Sequence, residues 1–106
     1  MNIEKVIKKG KVAVLVSPGF GAGWSTWSTE HPDLVFSPKV VEMVLKGKRD
    51  EITDEWVKEN LGYTDVYTGG AGDLEVVWLK EGTKFYIDEY DGSESIVLSE
   101  SLTMTA

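Results

Sequence analysis

The run Lys11-Val12-Ala13-Val14-Leu15-Val16 is unbroken in its apolar character after the first lysine, rich in valine, and stopped by Ser17-Pro18-Gly19. A short continuous apolar run bounded by turn formers is the signature of a strand that is buried rather than half-exposed. Such a strand needs neighbours. With 106 residues, the chain is long enough for one domain with one modest core, so the rest of the sequence must supply them.

Two short helices come first. Ser37-Pro38 sets an N-cap before a proline at the first helical position, Val40, Val41, Val44 and Leu45 share a face, and Gly47 closes a helix predicted over residues 38 to 46. Thr53, followed by Asp54 and Glu55 near the positive end of the dipole, opens a second helix from about Asp54 to Asn60, ended by Gly62. Helices this brief cannot close a core alone, so a sheet must do the rest.

The C-terminal half provides it. Leu74 to Leu79 alternates with Leu74, Val76 and Trp78 on one face, and Lys84 to Tyr90 turns Phe85 and Ile87 to the core. Asp91-Gly92 is a hairpin turn signal before Ser95-Ile96-Val97-Leu98. These three consecutive strands are expected to form an antiparallel meander, with residues 12 to 16 in its middle or at its edge. Tyr63 to Tyr67 reads as a strand or extended segment, and Met1 to Lys9 as one or two turns of helix on a sheet edge. Ser99 to Ala106 reads as a loose tail or a late edge strand. The fold class is therefore α+β, a mainly antiparallel sheet with two short helices, as a single domain over residues 1 to 106.

Composition narrows the function. Formal charge is −7, with 18 acidic residues against 11 basic ones, which speaks against a long nucleic acid as partner, because phosphate neutralisation supplies most of that affinity. A small anion needs only a few local donors. No cysteine is present and His31 is the only histidine, so thiolate chemistry and metal sites of two or more histidines are excluded. No metal or cofactor is expected. No apolar run approaches the roughly 18 residues of a membrane span, and Met1 to Lys11 lacks a signal peptide's apolar segment. The expectation is a cytoplasmic protein outside the membrane. A domain this small gains by burying aromatic residues through association, so a homo-oligomer is also expected.

The stretch most unlike an ordinary domain is Ser17 to Thr29, where Gly19, Gly21 and Gly23 alternate with other residues and Trp24 and Trp27 follow among hydroxyl residues. Following a buried strand, its amides are placed to turn toward an anion. Neither the Walker nor the dinucleotide glycine spacing is present. The binding set read from this loop is Gly19, Phe20, Gly21, Gly23, Trp24, Ser25, Thr26 and Trp27: amides for an anion, flat rings for a nucleobase and hydroxyls for polar edges. Arg49 joins it as the one residue able to fork onto a phosphate. The competing reading is a tight structural turn. Gly69-Gly70-Ala71-Gly72 with Asp73 is a second candidate loop or a simple connection. Asp88, Glu89, Asp91 and Glu94 read as a solvated acidic hairpin, Trp56 and Trp78 as core, and His31 as a loop residue without an identifiable catalytic partner.

Taken together, residues 17 to 27, 69 to 78 and 90 to 95 resemble stretches of small uncharacterised bacteriophage proteins, and the likeness runs from about Lys11 to Ile96. Small phage proteins of this build include anti-defence sponges, oligomers that sequester cyclic nucleotide signals without cleaving them. That resemblance implies a non-enzymatic protein that binds a nucleotide-like immune signal. The alternative is a protein-interaction module that inhibits or assembles with a partner through the aromatic loop. A small hydrolase is the weakest reading, since no catalytic constellation is visible.

Overall fold

A computed structural model describes residues 3–100 and 104–106. Two sheets of three antiparallel strands and two helices make an α+β structure. The first sheet has the order β1 (Ile7–Lys8), β2 (Lys11–Val16), β3 (Glu75–Lys80), and the second the order β5 (Ser93–Leu98), β4 (Lys84–Tyr90), β6 (Met104–Thr105).

β2 is the common wall of two cores. Ala13 and Leu15 face the first, with Leu34, Val40, Val41, Val44 and Val57, while Val12 and Val14 face the second, with Val35, Phe36 and Phe85. The helices α1 (Pro38–Leu45) and α2 (Asp54–Leu61) thus cover one side of the first sheet and the second sheet covers the other. This is why the valine run has no polar alternation: both of its faces are dry.

The helix boundaries follow their caps. The Val40 amide donates to Ser37 Oγ ahead of Pro38, and α1 ends in a Schellman arrangement in which Lys48 N donates to Met43 O and Gly47 N to Val44 O. Thr53 Oγ1 accepts from the Trp56 amide at the start of α2. Trp56 and Trp78, expected in the core, lie half-buried at the margin of the helix-side core. No helix is long and apolar enough to cross a membrane among the described residues.

The meander expectation is overturned. β3 pairs with β2 along its whole length, Lys11 to Val16 against Lys80 to Glu75, and the described ladders put no pairing between β3 and β4. Between these strands the chain leaves one sheet for the other, with Glu81 N bonded to Gly10 O and Gly82 N to Ala106 O. A doubly buried β2 requires both a pairing partner and a cover, and consecutive strands divide those two tasks. Val76 and Trp78 pack with the helices, whereas Phe85 and Ile87 pack beneath β2.

The expected N-terminal helical turns are also replaced. Ile7 and Lys8 pair with Val12 and Lys11 in a hairpin, and the Ala13 amide extends that pairing to Val6 O. Met1 and Asn2 lie outside the described residues. The turn pair Lys9-Gly10, with φ of 52° and 77°, makes the two-residue hairpin geometry that overrides the helical spacing of Ile3, Val6 and Ile7. Tyr63 to Tyr67 forms no strand, and Met104–Thr105 takes the late-edge-strand alternative by pairing with β4. Residues 101 to 103 lie outside the described residues.

Candidate functional site

The loop after β2 is folded around a carboxylate. Glu94, on β5, is 2% exposed. Its Oε1 accepts the Ser17 amide at 2.9 Å, and its Oε2 accepts the Trp24 amide at 2.7 Å, the Thr26 amide at 3.1 Å and the Thr26 hydroxyl at 2.5 Å. The Glu94 amide in turn donates to Ser17 O. A buried carboxylate is tolerable when several donors replace its water, and short charge-assisted bonds are the strong ones. The amides that converge here are those of Ser17, Trp24 and Thr26, whereas the Gly21 amide donates to Asp91 O, and the expectation of a solvated Glu94 is overturned. That residue is no solvated member of an acidic hairpin but the acceptor around which the loop closes.

Register explains how it arrives there. Asp91-Gly92 makes a two-residue turn, which sets Tyr90 opposite Ser93, Glu89 opposite Glu94 and Ile87 opposite Ile96. Glu94 and Ile96 then share the inward face with Phe85 and Ile87. Gly92, with φ of 87°, lies directly against the backbone of Gly21 and Ala22, where a Cβ would collide. Gly21 N donates to Asp91 O at 2.7 Å, so the loop and the hairpin tip are bonded to each other. Ser17 Oγ donates to Gly70 O at 2.9 Å, and the second glycine stretch thereby backs the first.

The predicted binding residues divide accordingly. Trp24 is fully buried and its indole N–H donates to Leu34 O at 3.0 Å, so its ring faces belong to the core and not to a ligand. Ser25 and Gly23 are buried, and the Thr26 hydroxyl is committed to Glu94. Phe20 is 73% and Trp27 41% exposed on the same loop. The Trp27 ring tilts against that of Tyr67, 5.1 Å between centroids, and Tyr67 is itself 47% exposed. Arg49 Nε donates to Leu74 O at 2.6 Å, and its side chain shares a shallow groove with Pro18, Gly19, Asp73 and Glu75. It is brought to Gly19 and into an acidic lining.

Tyr90 is 77% exposed on β4, and beside the loop the outward rings are Phe20 and the contacting pair Trp27 and Tyr67, an aromatic rim. Exposed acids flank it: Glu30 three residues after Trp27, Asp65 two before Tyr67, and, on the hairpin turn, Asp91, whose carbonyl accepts the Gly21 amide next to Phe20. Comparison with protein-family models, curated proteins and solved structures finds no match. The site must be read from its own geometry.

His31 has the partner that the sequence does not disclose. Its Nε2 lies 2.6 Å from Asp65 Oδ1, and its ring stacks on Tyr63 at 3.9 Å between centroids with 15° between planes. The Tyr63 hydroxyl donates to Asp33 Oδ2 at 2.8 Å. The hydrogen bond from His31 holds the Asp65 carboxyl below its ordinary range, and the bond to Asp33 pushes the Tyr63 hydroxyl up. Asp65 and Tyr63 stand 34 and 32 positions after His31 along the chain, so no local motif links them. Glu94, by contrast, is signalled by the hairpin register.

Proposed function

We propose that the chain is a non-enzymatic recognition protein that docks a basic protein surface through Phe20, Trp27 and Tyr67. The observation that carries this reading is that Phe20 and Trp27 stand exposed on a loop whose backbone is held internally by Glu94, with the exposed Tyr67 ring against Trp27. Aromatic residues are enriched at interfaces, and a loop already ordered loses little freedom on binding. The acidic flanks and the net charge of −7 suit a partner of opposite sign.

A second reading gives the same rim a cyclic oligonucleotide, sequestered intact in the manner that the phage resemblance implies. It is favoured by the tilted Trp27–Tyr67 pair, since a stacked base is worth roughly 1–3 kcal/mol. It ranks second because Asp73 and Glu75 stand beside Arg49, where phosphates would have to lie. Self-association through the rim ranks below both, as it would bring like-charged flanks together.

Capture from a bacterial lysate by the wild-type chain and by a Phe20→Ala/Trp27→Ala variant tests the first reading. A basic protein retained by the wild type and lost by the variant is the expected result. Titration with cyclic di- and trinucleotides, followed by recovery of the ligand, tests the second: quenched tryptophan emission with intact nucleotide would replace the protein-docking reading. Equal capture by both chains, with no nucleotide response, overturns both.

A further inference from the structure

The Glu30, His31 and Asp65 cluster plays no part in the Glu94-centred loop, and it offers a mixed donor set. One ligand atom from each residue, an imidazole nitrogen and two carboxylate oxygens, lies within 4.8 Å of the others. The nitrogen sets this cluster apart from the acidic surface around it, because imidazole suits first-row transition ions and zinc, whereas magnesium and calcium prefer oxygen alone.

Two further features favour an ion there. The imidazole is held rather than free to rotate: its face lies on Tyr63, Tyr63 is anchored to Asp33, and the backbone of residue 31 is bonded at both its amide, to Ser28 O, and its carbonyl, from Leu34 N. Glu30 and His31 also line a cleft of about 600 Å³ with Glu4, Asp33, Tyr63 and Lys39. The one basic residue lining it, Lys39, directs its ammonium to Asn60 O. Carboxylates therefore dominate the local field.

We propose that His31 Nε2 and one carboxylate oxygen each from Asp65 and Glu30, acids that also flank the aromatic rim, bind a divalent cation of the zinc class. Donors bound at about 2.0–2.2 Å around a tetrahedral ion stand roughly 3.3 Å apart. The His31–Asp65 contact of 2.6 Å opens by less than 1 Å to reach that geometry, and Glu30, which is exposed, swings in to complete it. Any proton on Nε2 leaves to solvent as the metal takes its place. Three protein ligands leave a coordination position open.

The test uses the full chain after chelator treatment. Titrated with Co²⁺, it should develop visible d–d absorption that saturates and that Zn²⁺ then removes, while Mg²⁺ does not. Asp65→Asn and Glu30→Gln should each weaken binding by about tenfold or more, and His31→Gln should abolish the band. Circular dichroism on each variant separates lost ligation from lost fold, and Glu55→Gln, in α2, should leave binding unchanged. Absence of the Co²⁺ band in folded wild type overturns the site. So does a band that survives His31→Gln, or one that Glu55→Gln weakens as much as Asp65→Asn.

Discussion

The Glu94 carboxylate accepts the Trp24 amide at 2.7 Å across 70 residues of sequence, and through that bond a strand of the second sheet holds the loop that leaves the first. Replacing Glu94 with alanine strands the Ser17, Trp24 and Thr26 amides together. Each buried unsatisfied donor costs about 1–3 kcal/mol, and water entering the gap offsets part of that. The expected loss is about 3–5 kcal/mol in urea denaturation. A loss below about 1 kcal/mol would mean that the loop keeps its form without the carboxylate.

The two hairpin glycines should respond differently. Gly10 and Gly92 both have positive φ, so alanine costs each about 1 kcal/mol. At Gly10 the space is open, whereas at Gly92 the added carbon meets the backbone of Gly21 and Ala22. Gly92→Ala should therefore destabilise by about 1–3 kcal/mol more than Gly10→Ala, as overpacking does. Equal thermal shifts for the two variants would contradict the close packing of hairpin and loop.

Three aromatic residues of one loop should separate into core and surface. Trp24→Ala should cost about 3–5 kcal/mol, the range for a buried large side chain. Phe20→Ala should lie within about 0.5 kcal/mol of wild type. Trp27→Ala should fall between them, losing its contact with Tyr67. Denaturation midpoints at equal m-value give the order directly.

Tyr63 should ionise above its ordinary value of 10.0, because its hydroxyl donates to Asp33 and a phenolate there would face that carboxylate. A group whose folded value is raised contributes stability that is complete below its ordinary value of 10.0 and is lost as pH rises through the folded value. Ultraviolet difference titration of wild type against Tyr63→Phe should place the Tyr63 transition above 10.0, and Asp33→Asn should lower it. No change on that substitution would assign the shift to burial alone.

Much of this architecture is legible residue by residue. Ser37-Pro38, Thr53-Asp54 and the closing Gly47 and Gly62 mark both helices because caps act locally. The Asp91-Gly92 turn marks its hairpin for the same reason. The placement of β3 is not legible, since its alternation fits β2 or β4 equally and the choice depends on which core each face fills. Glu94 falls between these cases. Composition reads it as one of several solvated acids, and only counting the register back from Ile96 turns it inward. Asp65 offers no such count, because its pairing with His31 joins two loops through space.

The origin of the holding carboxylate sets an order of events during synthesis. Ser17, Trp24 and Thr26 are translated long before residue 94, so the donors wait through most of the chain for their acceptor. Until the β4–β5 hairpin has left the ribosome, those three amides lack the acceptor they share in the folded protein. A nascent chain that stops short of residue 94 therefore lacks the carboxylate on which the Ser17, Trp24 and Thr26 amides converge.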